Sequence, residues 1–265
     1  MMEKLALSTW NYLTFFKKNA DLRKTLVDIS ARGLHVEFWA EWEASESKLL
    51  TDRNCWEETR TLLSETGLRS CHGIFDINHR DDALEQIEFC KAIGANILVV
   101  HPNMLRFIPE EKNLNTPIAF VYDLIDRAGP AVTIALENVL SFDDIKIITT
   151  EIPELKMCLD IGHTHLDLQH SLTDYVEAFG DKIIHLHIHD NHGHRGQLLL
   201  PGREDMDLFD EHLPPGEGTI DWEALGKNLR KIHYAGAYVL EIRDRNPAKI
   251  PDITLQTLEQ SGLCE

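Results

Sequence analysis

Apolar and polar positions alternate along this chain in two rhythms. Short runs rich in Ile, Val and Leu, with a period of two, are separated by longer stretches whose apolar residues fall three or four apart. The short runs predict strands at 4–8, 34–38, 69–74, 96–101, 131–137, 155–160, 183–189 and 237–242. The longer ones predict helices near 20–31, 53–65, 81–93, 117–128, 143–149, 172–179, 221–233 and 253–259. Gly33, Gly67, Gly94 and Gly129 follow helices as C-caps, and Thr116 before Pro117 reads as an N-cap with proline at the first helical position. Strands that alternate with helices are the signature of parallel βαβ units, and eight of them predict an α/β fold, a single (β/α)8 TIM barrel. No linker, low-complexity tract or short-period repeat interrupts 1–265, so one domain is expected.

Composition narrows the setting. At 265 residues with 43% hydrophobic content, the chain can bury a large core. A formal charge of −18 opposes attraction to phosphate backbones, so nucleic acid is disfavoured as a partner and a small molecule is favoured. The opening MMEKLALSTW lacks a signal-peptide apolar core and no run is long enough to span a bilayer, which predicts a soluble, cytoplasmic protein without a membrane partner. Cys55, Cys71, Cys90, Cys158 and Cys264 are scattered and form no CxxC pair, so reduced, mostly core thiols are expected. A homo-oligomer is compatible with all of this.

In a barrel of this kind the chemistry sits where strands end. Strand three carries His72 in SCHGIF, and strand four ends on His101 in VVHPN. Strand five ends on Glu137, strand six on Asp160 with His163 three residues later, strand seven carries His187, and strand eight reaches Glu241. One polar strand end is ordinary; six in the same structural position imply convergence on a divalent metal. Imidazoles and carboxylates without thiolates suit zinc, manganese, iron or cobalt. The stretch IIHLHIHDNHGH puts His185, His187 and His189 on one face, and the loop returns with Asp210 and His212 ahead of Pro214, Pro215 and Gly216, a further half-site.

Five motifs carry a resemblance: HPN, LEN, LDIGH, HIHD and DEHLPPGEG. Through them the chain resembles the xylose isomerase-like TIM-barrel superfamily. Its sugar epimerases imply one ion held by Glu137, Asp160, His187 and Glu241, with His163 contacting substrate. Its endonuclease IV branch implies three zinc ions: His72, His101 and Glu137 on the first, Glu137 bridging to Asp160, His187 and Glu241 on the second, and His163, Asp210 and His212 on the third. One to three divalent ions per chain, zinc or manganese, are therefore expected.

The loops after the first two strands depart from the DNA-repair branch. STWNYLTF and EFWAEWEA are aromatic and acidic, and Trp10, Tyr12, Phe15, Phe16, Trp39 and Trp42 could wall a sugar site or cover the barrel top. Glu37, read as ending strand two, suits either substrate hydroxyls or a surface ion pair. Arg195 and Arg203 suit either an anionic substrate or solvent, with Glu204, Asp205 and Asp207 as local partners. The resemblance thus implies a metal-dependent sugar or sugar-phosphate isomerase or epimerase, with Glu137 and Glu241 as base and acid. The alternative is an endonuclease IV-like phosphodiesterase or phosphatase acting on abasic-site DNA or a small phosphate ester; a non-catalytic metal- or sugar-binding barrel is a third reading.

Overall fold

A computed structural model describes residues 5–12, 22–39, 52–64, 67, 69–73, 80–101, 115–139, 141–194, 209–243 and 249–263. Eight strands form one closed barrel in chain order: β1 (Leu5–Ser8), β2 (His35–Trp39), β3 (Arg69–Gly73), β4 (Ile97–Val100), β5 (Thr133–Glu137), β6 (Lys156–Asp160), β7 (Ile183–Ile188) and β8 (Ala237–Leu240). Every pairing is parallel, and β8 closes on β1 with Val239 beside Ala6. Parallel strands need crossovers, and helices supply them: α1 (Leu22–Ala31), α2 (Trp56–Leu62), α3 (Arg80–Ile93), α4 (Asn115–Ala128), α5 (Phe142–Glu151), α6 (Ile161–Leu166), α7 (Leu172–Phe179), α8 (Trp222–Lys231) and α9 (Ile250–Gln260).

The period-two alternation of the strands sorts the core into two parts. Leu7, Val36, Phe38, Leu98, Leu136, Leu159, Leu186 and Leu240 are buried in one large cluster that also contains the apolar faces of the helices. The other strand face carries smaller residues: Ala6, Ala237 and Val239 form one cluster, and Val99, Ala135 and Cys158 belong to another. Small side chains there leave room for the polar layers above them.

Several boundaries differ from expectation. β2 runs to Trp39, so Glu37 lies in mid-strand rather than at its end. α2 stops at Leu62 after a short 3-10 turn at Arg53–Cys55, so Gly67 caps no helix. Gly67 instead lies close to His35, whose Cε1 would meet an added Cβ at 2.9 Å. Gly33, Gly94 and Gly129 do adopt the left-handed backbone expected of C-caps. Thr116 lies inside α4, not ahead of it. The helix α6 was not anticipated, because its six residues are too few for a hydrophobic period to register. The four described cysteines are free, and Cys71, Cys90 and Cys158 are buried. No helix among the described residues is long and apolar enough to cross a membrane.

Candidate metal centre

All nine residues expected to bind metal converge at the C-terminal mouth of the barrel. Glu137, the last residue of β5, is the hub. Its Oε2 lies 3.0 Å from His72 Nε2 and 2.6 Å from His101 Nε2, while its Oε1 lies 3.3 Å from His163 Nδ1 and 3.5 Å from His187 Nδ1. One oxygen faces each side, as a bridging carboxylate requires. Next to it, His187 Nδ1 is 3.5 Å from Glu241 Oε2 and 3.6 Å from Asp160 Oδ2. Further out, Asp210 Oδ2 is 3.3 Å from His163 Nε2 and 2.9 Å from His212 Nε2.

These spacings can be tested against what a metal needs. A tetrahedral ion with ligands about 2.1 Å away separates those ligands by about 3.4 Å. His187 Nδ1 meets that spacing from one oxygen each of Glu137, Asp160 and Glu241, yet it makes no hydrogen bond among the described residues. Glu241 Oε1, Asp210 Oδ1, His72 Nδ1, His163 Nδ1 and His189 Nδ1 are also buried without hydrogen-bond partners among the described residues. Buried polar atoms are normally satisfied, so a concentration of orphans at one place marks a missing partner. Glu37, Glu137, Asp160 and Glu241 are all buried at this end of the barrel, and none of them forms an ion pair with Lys or Arg among the described residues. Divalent cations fit that charge.

The electrostatics agree. Burial, with Glu37, Glu137 and Asp160 nearby, pushes the Glu241 carboxyl up to about 8. Burial also acts on Glu137, but the imidazoles of His101 and His187 outweigh it and hold that carboxyl well below its ordinary range. His163 is buried too, but Asp160, Asp210 and Glu137 raise it to about 10. For His72 burial prevails, aided by His101, and lowers it to about 4.

Local structure explains why the ligands stand where they do. Asp160 caps α6 by accepting from His163 N at 2.8 Å, so the three-residue spacing to His163 is one helical cap. Asn138 brackets Asp160, donating to its carbonyl at 3.0 Å and accepting from its N–H at 2.6 Å. Asn11 does the same around Glu241: its Nδ2 donates to Leu240 O at 2.6 Å, and its Oδ1 accepts from Ile242 N at 2.5 Å. Asp190 anchors the returning loop. Its Oδ1 accepts from Asn191 N at 2.8 Å and Ile220 N at 3.2 Å, and its Oδ2 from Gly216 N at 2.8 Å and Trp222 Nε1 at 3.0 Å. Residue 218 must be glycine here, since a Cβ would lie 2.2 Å from Asp190 Oδ1. The loop holds His212 in a left-handed conformation, φ 50°, with Nδ1 donating to Glu241 O at 2.7 Å and Nε2 left facing Asp210.

One member of the cluster was not among the expected ligands. His189 Nε2 lies 3.0 and 3.1 Å from the two oxygens of Asp160, its Nδ1 is 3.6 Å from Asp210, and its ring stacks on His212 at 3.9 Å. Its position in HIHD was the available signal. Asn138 in LEN and Asp190 in HIHD carried the same kind of signal, whereas Asn11 gave none, because polar residues are common wherever strands meet loops.

The expected substrate residues divide. Trp10 is half-buried over His212, with ring centroids 4.4 Å apart, and Trp39 lies over His72 at 4.0 Å, 6.4 Å from Trp10. Together they wall the mouth. Tyr12 instead turns into the core and donates to Asp28 at 3.3 Å. Glu37 is fully buried, so it forms no surface ion pair. Arg195 and Arg203, with Phe15, Phe16 and Trp42, lie outside the described residues.

Comparison with known proteins adds to this geometry. Residues 25–261 match a family described as "Xylose isomerase-like TIM barrel". An uncharacterized protein of Methanocaldococcus jannaschii is 33% identical over 161 residues, covering 58% of this chain and 57% of that protein. A D-psicose 3-epimerase of Enterocloster bolteae is 29% identical over 87 residues, covering 33% of this chain and 22% of the epimerase. The chain thus spans between about a fifth and three fifths of the length of the curated relatives it matches. A solved D-tagatose 3-epimerase-like protein superposes with a TM-score of 0.72 at 20% identity, over 98% of both chains.

Proposed function

The chain belongs to the xylose isomerase-like TIM barrel family, and from that premise we propose that it is a divalent-metal-dependent isomerase or epimerase of a sugar or sugar phosphate. The observation that carries this reading is the unpartnered His187 Nδ1, nearly equidistant from Glu137, Asp160 and Glu241. An ion held by these four residues would polarise a carbonyl and its neighbouring hydroxyl, making the intervening C–H acidic. Glu137 and Glu241 come from β5 and from the exit of β8, so they reach the substrate from different strands: Glu137 takes the proton from carbon, and Glu241 returns one. His163 orients a substrate oxygen beside Glu137. Trp10 and Trp39 offer apolar faces for the sugar ring and exclude water, and Arg195 is assigned to an anionic substituent. The likeness to a D-psicose 3-epimerase and to a D-tagatose 3-epimerase-like protein supports a ketose as the first substrate to try.

A second reading has its own observation. His163, His189, Asp210 and His212 form a connected group beside the first, which supports a multinuclear zinc centre and phosphate-ester hydrolysis. Elemental analysis of protein purified without chelators, repeated for His212→Ala, separates the two. One metal equivalent unaffected by the substitution, with solvent deuterium entering a ketose next to its carbonyl, supports the isomerase. About three equivalents falling by one, with hydrolysis of phosphate esters and no deuterium uptake, overturns it.

A further inference from the structure

Beneath the metal ligands the barrel holds a second polar layer. Glu37, on β2, is fully buried, and so are its three neighbours Ser70, His185 and His187. Glu37 Oε2 accepts from Ser70 Oγ at 3.1 Å and sits 2.8 Å from His185 Nε2. Its Oε1 lies 3.1 Å from His187 Nε2, an ion-pair contact outside hydrogen-bond geometry, and neither atom has a hydrogen-bond partner among the described residues. A carboxylate removed from water is costly unless it is paired, and among the described residues this one is surrounded by two imidazoles and a hydroxyl with no Lys or Arg. The same His187 ring turns its other nitrogen, Nδ1, to the three carboxylates of the centre.

A neutral imidazole carries its proton on one nitrogen only, and the nitrogen that binds metal must be the bare one. A carboxylate at Nε2 selects the tautomer that leaves Nδ1 free. We infer that Glu37 is a positioning residue of the metal centre, which holds the His187 proton at Nε2 and is itself held by Ser70 and His185. This rests on the metal-dependent reading above, and it gives Glu37 a role through His187 instead of a contact with substrate hydroxyls. Glu37 lies one layer too deep for that contact, because β2 continues for two residues beyond it.

The test is metal affinity in the full chain. Protein stripped with a chelator is titrated with zinc against a chromophoric chelator for wild type, Glu37→Gln, Glu37→Asp and Ser70→Ala. Partners of this type set metal affinity by about 10–100-fold, so Glu37→Gln weakens one zinc equivalent by that factor and leaves any others unchanged. Glu37→Asp recovers part of the loss, and Ser70→Ala loses less than Glu37→Gln. Zinc binding within twofold of wild type in Glu37→Gln overturns the inference, as does equal weakening of every equivalent. Should Glu37→Gln not fold, Glu37→Asp and Ser70→Ala decide it: selective weakening supports the role, and wild-type affinity in both removes it. A wild-type chain that takes up no zinc fails differently, by removing the metal reading itself.

Discussion

Replacing Asp190 with asparagine keeps the side chain's size and removes one acceptor oxygen. That carboxylate accepts four hydrogen bonds, two on each oxygen, and it is fully buried. In the variant an amide NH2 faces two N–H donors, either those of Gly216 and Trp222 or those of Asn191 and Ile220. Hydrogen bonds to a charged group contribute about 1.5–3 kcal/mol each, and buried donors left unmatched lose at least as much. The expected loss is about 3–6 kcal/mol, a large share of the roughly 5–15 kcal/mol that holds a typical domain. Urea unfolding should show it as a midpoint lower by about 1–2 M, taking a slope near 3 kcal/mol per molar. The loss should also reach the metal site, because Asp190 exchanges backbone hydrogen bonds with Leu213, next to His212. If Asp210 and His212 hold a second ion, that ion should be released first. A folded variant that loses under 1 kcal/mol and keeps its full metal content would refute the account of this carboxylate as the anchor of the loop.

Three further predictions are more compact. Gly162→Ala would gain about 1 kcal/mol from helix propensity alone, but its Cβ would sit 1.9 Å from His189 Cε1, so thermal melting should instead show destabilisation of about 1–3 kcal/mol with weakened metal binding. In chelator-treated protein Glu241 is raised to about 8 and His163 to about 10, so their contributions are present below their unfolded values and are lost as pH rises through the folded ones. Stability of the metal-free chain should fall between about pH 7.5 and 10, where His72, lowered to about 4, is neutral in both states; denaturation across that range checks this, and saturating zinc should flatten the curve. Glu241→Gln should slow formation of the isomerised or epimerised product from a ketose by about 100- to 10,000-fold, measured by NMR on protein with a verified metal content.

Much of the site was legible because a parallel barrel places its chemistry at strand ends. Glu137 and Asp160 end their strands and Glu241 directly follows one, so counting strands located them. His185, His187 and His189 do share the interior face, as their alternation predicted, and they occupy successive depths: His185 beside Glu37, His187 between Glu37 and Glu137, His189 against Asp160. Depth is what the pattern could not give. A one-residue shift in β2 moved Glu37 from the mouth to the layer beneath. Likewise no local pattern tells an asparagine that brackets a strand end from one in a solvated turn, since the bonds of Asn11 span more than 200 positions. Tyr12 was misplaced for a related reason. Two residues from Trp10 on a short helical turn, it faces α1 rather than the mouth.

Those two bonds of Asn11 also bear on the order of assembly. They join the start of the barrel to the segment that carries Glu241, across the seam where β1 meets β8. Contacts this distant in sequence cost the most chain entropy and form late. Until they form, Glu137, Asp160 and His187 can gather on neighbouring strands while the fourth residue, Glu241, has no fixed place. Capture of the ion by all four residues therefore reports that the ring has shut, and metal added during refolding should speed the final step more than the early ones.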